Sequence, residues 1–397
     1  MDNSVCDLKK CTGCGACAYT CPVGCISINE HSDGNKYPEI DREKCVSCGK
    51  CGKVCPQLSP VEKHKSLAAY AAFNTDTEAY EYSASGGAAS AICDYAVSRG
   101  ALFVGASADE NGFVKLGIFD SVDAIKKTRN SKYVFSEMYG VLPELEKRLK
   151  EGREIFFIGL PCQVAAARKL FEGRYGDRLF FVDLVCHGIT PYKYLEQHIR
   201  EIEGKLGKTA CRISFREPGK EDKPSVYALS CFDSEGNRFY SKRTVDGDAY
   251  QYAYHRAVAY RENCYSCIYA APERCGDLTL GDFRAFDLVS NLPKRLSSVI
   301  VNTERGAALI EALVESKRLS AIERPVSEPA RYDRQLSSPS QKSEDRLAFE
   351  KNMAESGGDF NKSIAQLCEK NLKKEKLDSK KRGIKQKIKK LLRHAKT

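Results

Sequence analysis

Tryptophan is absent from this chain of 397 residues, so no indole serves any site in it. No stretch comes near the roughly 18 consecutive apolar residues that cross a bilayer. The longest apolar candidates, Ile155 to Leu160 and Leu179 to Cys186, have the length of buried strands, which excludes an integral membrane protein. An apolar signal segment is also missing after Met1, Asp2, Asn3 and Ser4. The 19 cysteines are therefore not expected to be disulfides of a secreted scaffold, and a reducing cytoplasm is the expected setting. The net charge of +10 has no counterpart in the body of the chain. From Lys370 to Thr397 stand 13 of the 63 Lys and Arg but only two of the 53 acids, Glu375 and Asp378, which leaves 50 bases against 51 acids in residues 1–369. A nucleic-acid partner is not expected from a neutral body.

What is present in quantity is patterned cysteine. Cys11, Cys14, Cys17 and Cys21, followed by Pro22, are matched 34 positions later by Cys45, Cys48, Cys51 and Cys55, followed by Pro56. C-x2-C-x2-C-x3-C-P twice over is the bacterial ferredoxin spacing, in which the fourth cysteine serves the other cluster. Each three-cysteine run wraps one corner of a cubane. The expected ligand sets of two 4Fe-4S clusters are Cys11, Cys14, Cys17 with Cys55, and Cys45, Cys48, Cys51 with Cys21. Gly13, Gly15, Ala16 and Gly49 are small enough to let the backbone close around the sulfides. Zinc knuckles also use C-x2-C pairs, but they need only four ligands and usually longer spacers.

Residues 57–67 read as a linker, and a second domain opens near Ala68. The segment SASGGAAS from Ser83 to Ser90 runs into an apolar helical spacing. Ser85, Gly86 and Gly87 thus stand at a helix start, either as a cradle for phosphate or as a close-packed cap, since no G-x-G-x-x-G is present. Ala101–Ala106 and Phe113–Phe119 form an expected hairpin about the turn 109–112. Asn130-Ser131-Lys132-Tyr133 offers groups that suit a nucleotide or a solvated loop. Strands over Glu154–Leu160 and Arg178–Val185 alternate with helices over Val164–Phe171 and Tyr192–Leu206, the order of a parallel sheet. Cys162 and Cys186 then fall at carboxyl ends of strands, where open α/β sheets bind ligands. Short antiparallel strands follow over Arg212–Arg216, Tyr227–Cys231 and Arg238–Ser241. Strands Asp277–Leu280 and Ser298–Val301 and a helix Glu304–Glu315 close the domain, and the chain turns polar from about Pro325.

Cys162, Cys186 and the pair Cys264-x2-Cys267 make a candidate third 4Fe-4S site, with Cys275 able to replace one of them. The alternative is two inert core thiols beside a zinc or dithiol C-x2-C. Cys6, Cys25, Cys93, Cys211, Cys231 and Cys368 show no partner spacing and read as small buried hydrophobes. Clusters pass single electrons and most organic substrates take a pair, so a flavin is the expected converter. His187 and Asp282 are the candidate catalytic groups, although a lone histidine after a strand is more often structural and the same holds for Asp282.

GLPCQVAA at 159–166, VDLVCHG at 182–188, NCYSC at 263–267 and DLTLGDF at 277–283 together resemble the family of coenzyme F420 hydrogenase/dehydrogenase beta subunits. SASGG at 83–87 and NSKYVFS at 130–136 are similar to that family's flavin-binding segments, and the likeness covers about residues 66–300. The resemblance implies FAD, a 4Fe-4S cluster beside it, and hydride exchange with an 8-hydroxy-5-deazaflavin, or reduction of a pigment side group in the chlorophyll-reducing branch. It supports Cys162, Cys186, Cys264 and Cys267 as ligands and Ser85, Gly86, Gly87, Lys132 and Tyr133 as flavin contacts. Where the family commonly reads GDFW, this chain has Arg284 after Gly281-Asp282-Phe283, which puts the substrate side in doubt.

In the basic tail, Ile384, Ile388, Leu391 and Leu392 recur at helical spacing among lysines, as in a short amphipathic helix at an anionic membrane or an acidic partner, or in a solvated tail. The expectation is therefore an α+β/α/β chain with three parts. A dicluster ferredoxin-like domain spans 1–60, an α/β flavin and 4Fe-4S domain with a mixed sheet spans 66–325, and a polar linker and basic helical tail spans 326–397. Its expected function is electron transfer between three 4Fe-4S clusters and a two-electron small molecule through FAD, with a redox protein or ferredoxin as partner. The alternatives are a non-enzymatic relay to a partner reductase, or a redox sensor.

Overall fold

The computed structural model describes residues 3–108, 113–217, 226–285, 293 and 295–394, with Val226 and 379–394 described by backbone alone. Two strands, β1 (Ile26–Glu30) and β2 (Lys36–Ile40), pair antiparallel between the cysteine runs. An eight-stranded sheet forms the body. Its strands are β3 (Ala68–Asn74), β4 (Leu102–Ala108), β5 (Val114–Phe119), β6 (Ile155–Gly159), β7 (Leu179–Leu184), β11 (Leu278–Asp282), β12 (Ser297–Val301) and β13 (Leu319–Arg324). The spatial order is β13-β3-β12-β11-β7-β6-β4-β5. The inner four, β11, β7, β6 and β4, run parallel, and every pairing outside them is antiparallel. The sheet is mixed, as expected. The turn between β4 and β5 lies outside the described residues, but the two strands pair as a hairpin.

The parallel strands are largely apolar because both faces are covered. Ile155, Phe157, Leu179 and Phe181 point into one core with Leu142, Leu145 and Leu149 of the helix Leu142–Lys150. Phe156, Ile158, Phe180 and Val182 point into the other, against Ile92 of the helix Ala88–Ser98 and Leu309 and Leu313 of the helix Glu304–Glu315. This is an α/β/α layering. A separate antiparallel sheet of β8 (Arg212–Glu217), β9 (Val226–Phe232) and β10 (Arg238–Arg243) sits in order β10-β9-β8.

The stretch after Pro325 departs from the polar linker expected there. Helices Glu344–Glu355 and Phe360–His394 bring Phe349, Phe360, Ile364 and Cys368 into a core with Tyr194, Ile199, Tyr250 and Leu229. Its apolar residues are few and spread among charges, so their common face shows only when the helices pair. Among the described residues no helix is long and apolar enough to cross a membrane.

Candidate functional site

In the N-terminal unit Cys11, Cys14, Cys17 and Cys55 are buried, whereas Cys21, Cys45 and Cys51 are half-buried and Cys48 is exposed. Cys55 and Cys11 share Cys6 as a hydrogen-bonding neighbour, and Cys21 and Cys45 share Cys25, whose Sγ is 3.4 Å from that of Cys21. The chain therefore brings each fourth cysteine across to the opposite run. Cys6 and Cys25, read from sequence as small buried hydrophobes without partner spacing, stand beside these sites.

β6 and β7 end side by side and in parallel, so the turns after them project from the same edge of the sheet. After β6, Pro161 opens the helix Pro161–Ala167 and sets Cys162 in its first turn. After β7 come Val185, Cys186, His187 and Gly188, the last at φ +129 with the Tyr260 ring where a Cβ would be. Cys264 and Cys267 arrive from a distant turn, held by the Cys264 N–H donating to the Arg261 carbonyl at 3.0 Å. All four thiols line one pocket with Thr12, Arg261, Tyr269 and Gln335, and among the described residues no carboxylate or imidazole lines it. An all-sulfur donor set suits iron-sulfur or zinc chemistry. Among the described residues no group of three or more His, Cys, Asp or Glu closes round a single ion. Burial, more than any neighbour, pushes all four thiols up, Cys186 to about 12, so these sulfurs need a cationic centre to be held as thiolates. Cys275 takes no place in the lining. Its thiol donates to the Pro161 carbonyl at 3.3 Å and the Asp183 carboxylate at 3.4 Å.

Asp183 fixes this edge from inside. Fully buried on β7, it accepts from Arg274 Nη2 at 2.7 Å, the N–H groups of Cys275 and Gly276 at 3.1 and 2.9 Å, and Thr279 Oγ1 at 2.8 Å. With that many donors the buried charge is compensated.

A second cavity of about 350 Å³ spans the carboxyl ends of the four parallel strands. It touches the first directly, sharing Leu160, Cys186, Gly188 and Ile189. Ser85, Gly87, Lys132, Tyr133, His187 and Asp282 line it. Gly87 sits at φ +82 ahead of the helix Ala88–Ser98 and has no side chain to cap it; Ser297 Oγ accepts from the Ala88 N–H at 3.4 Å. Gly86 does not line the cavity: a Cβ there would stand 2.2 Å from the Ala72 carbonyl oxygen, so this glycine serves close packing on β3. The Lys132 ammonium donates to the carbonyls of Thr128, Arg129 and Asn130 at 3.0, 2.9 and 3.3 Å, and burial pulls it down to about 8. It ties the end of the helix Val122–Thr128 to the cavity wall.

Residues that sequence reading missed, Tyr254, Tyr227, Arg216, His255 and Asp333, complete the lining. Tyr133 stacks on Tyr254 at 4.5 Å, and Tyr227 lies under the Arg216 guanidinium at 4.6 Å. Arg216 Nη1 pairs with Asp282 at 3.3 Å. His255 is driven down to about 4 by burial and then by Arg216, so it faces the cavity as a neutral imidazole. Asp333 holds His187 Nε2 at 3.5 Å and Arg284 Nε at 3.3 Å. Burial favours its protonated form, but His187 and then Arg284 outweigh it and keep the carboxyl below the usual carboxylate range. No motif marks Asp333, because it comes from the stretch after Pro325.

Family models fit this architecture. One for the N-terminal part of the coenzyme F420 hydrogenase/dehydrogenase beta subunit matches residues 69–143, and one for its C terminus matches 152–325. The chain belongs to the family of coenzyme F420 hydrogenase/dehydrogenase beta subunits. A 4Fe-4S dicluster domain model matches residues 10–58 ahead of the beta-subunit part. Curated relatives include a subunit of the F(420)H(2) dehydrogenase of Methanosarcina mazei, 25% identical over 185 residues, which are 44% of this chain and 53% of that one. A subunit of the NADH-quinone oxidoreductase of Yersinia enterocolitica is 53% identical over 36 residues, 9% of this chain and 20% of its own length. The chain thus spans about half the length of the first and a fifth of the second. A solved chain in the F420-reducing [NiFe] hydrogenase complex from Methanosarcina barkeri is 19% identical, covering 76% of this chain and 91% of that one at a TM-score of 0.44, too low to bear on function.

Proposed function

We propose that this member of the beta-subunit group is an FAD- and 4Fe-4S-dependent oxidoreductase that exchanges electrons between three 4Fe-4S clusters and a two-electron acceptor or donor of the coenzyme F420 type. One observation carries the reading. The four-thiol pocket and the cavity lined by Ser85, Gly87, Lys132 and Tyr133 share Cys186, Gly188 and Ile189 as a common wall. A flavin in that cavity would supply the conversion between single electrons and a hydride. The residues present suit it. The start of the helix Ala88–Ser98, where Ser297 takes only the Ala88 N–H, offers its next N–H groups to phosphate, Tyr133 and Tyr254 offer flat apolar faces, and the volume falls in the range of small-molecule sites. On this reading Cys11, Cys14, Cys17 and Cys55 hold the cluster nearest the body, and Cys21, Cys45, Cys48 and Cys51 hold the outer one. Cys162, Cys186, Cys264 and Cys267 hold the third. His187, oriented by Asp333, and Asp282, oriented by Arg216, would hold or move a proton at the substrate end.

The expected partners are a one-electron redox protein and the small two-electron substrate. Anaerobic purification with iron and flavin analysis tests the proposal: about twelve irons and one FAD per chain are expected from three cubanes and one flavin. About eight irons with no flavin would reduce the chain to a ferredoxin fused to a cofactor-free domain. Twelve irons and FAD with no turnover of any deazaflavin or other hydride carrier would make it a relay.

A further inference from the structure

We infer that Arg261 is a shared counter-charge between two cysteine sites, the four-thiol pocket of the body and the buried site of the N-terminal unit, and that it raises the reduction potential of both. The inference rests on the proposed cluster assignment. Arg261 is among the largest side chains buried completely, at 2% exposure. A buried guanidinium is costly unless an anion compensates it. Yet among the described residues no carboxylate forms an ion pair with Arg261.

Its acceptors are neutral and long: Nη2 donates to the Cys11 carbonyl at 3.5 Å and Nε to Asn263 Oδ1 at 3.4 Å. Phe135 and Tyr37 face it with their rings, at 4.2 and 5.7 Å. These contacts orient the group without neutralising it. Both ends of the side chain meet cysteine loops. Its backbone N–H donates to Ile189 at 2.8 Å and its carbonyl accepts from Cys264, so Arg261 starts the turn that delivers Cys264, and it lines the four-thiol pocket. Its guanidinium lies so close over the first cysteine run that a Cβ on Gly13, itself at φ +67, would be 2.7 Å from Nη2. A cubane held by four thiolates is anionic and gains negative charge on reduction. A cation wedged between two such groups compensates both and favours the reduced state of each.

Redox titration followed by electron paramagnetic resonance on the anaerobically purified full chain tests this role, with Arg261→Gln and Arg261→Lys beside wild type and iron counted in each. Arg261→Gln is expected to move two of the three cluster potentials to more negative values and leave the third, from the exposed Cys48 site, in place. Arg261→Lys keeps the charge but not the reach of the fork, so the same two potentials move the same way by less. Should the Gln variant not fold, the Lys variant decides alone. Unmoved inner potentials in either folded variant, or equal shifts of all three, overturn the role of Arg261. A wild type with about eight irons overturns the underlying assignment instead, and the iron count shows this before any variant is made.

Discussion

Cys186 lines both cavities, whereas Cys267 lines the four-thiol pocket alone. The two thiols should therefore differ when replaced. On the proposed assignment of three clusters and one flavin, Cys267→Ser is expected to lower iron from about twelve to about eight per chain with the flavin retained. Cys186→Ser should lose the same iron and also perturb the flavin absorption spectrum, because it removes part of the shared wall. Iron analysis and visible spectra on the two variants check this. A flavin spectrum that responds alike to both would mean that Cys186 adds nothing to the flavin cavity beyond its part in the four-thiol site. Single residues also show how motif membership and role separate. Gly86 and Gly87 belong to one motif, yet Gly87 faces the cavity and Gly86 is held by the Ala72 carbonyl behind it.

Among the elements, the helix Tyr192–Leu206 is pinned by a polar cluster. His198 Nε2 meets Asp248 at 3.1 Å and its Nδ1 meets Asn361 at 3.0 Å, which ties together that helix, the cap of the helix Ala249–His255 and the helix Phe360–His394. Burial alone would lower the His198 pKa, but the Asp248 hydrogen bond and charge outweigh it and hold the imidazole above its ordinary value. The folded value therefore lies above the unfolded one of about 6.5. The stability it contributes is fully present below about pH 6.5 and is lost as pH rises through the raised folded value. Melting temperature is expected to fall across that window in wild type, and His198→Gln should flatten this part of the profile. A slope unchanged in the variant would assign the pH dependence to other groups.

Across the whole molecule, the N-terminal unit is seated on the body by interlocking contacts. Gly15 lies under the Tyr139 ring, Tyr19 donates to Glu146 at 2.5 Å, and Lys36 pairs with Glu137 at 2.7 Å. Cys14 and Ala16 of the first cysteine run belong to the same apolar core as Phe157 and Leu145. The C-terminal helices are equally part of the body. Phe360 is fully buried against Tyr194 and Phe349, so Phe360→Ala should cost about 3–5 kcal/mol, measured by denaturant unfolding. A cost below about 1 kcal/mol would return residues beyond Pro325 to the status of a surface attachment.

Much of this was readable from local pattern. Eight cysteines at ferredoxin spacing need only their own neighbourhood to declare a cluster site, and the inner strands declare themselves because burial on both faces demands unbroken apolar runs. The side-by-side ends of β6 and β7 follow from the alternation of strand and helix, which is why Cys162 and Cys186 were expected on one edge. Other features depend on residues far apart in the chain. Asp333 reaches His187 across more than a hundred positions, and Arg261 touches the Cys11 loop across 250. Phe349 and Phe360 meet the body only after three helices pair. Spacing and periodicity along the chain therefore determined the two ferredoxin-type cysteine runs and the inner strands of the sheet. Only the tertiary structure decided which loops face one another, because a charge–charge or ring–ring contact between distant segments leaves no period in the sequence.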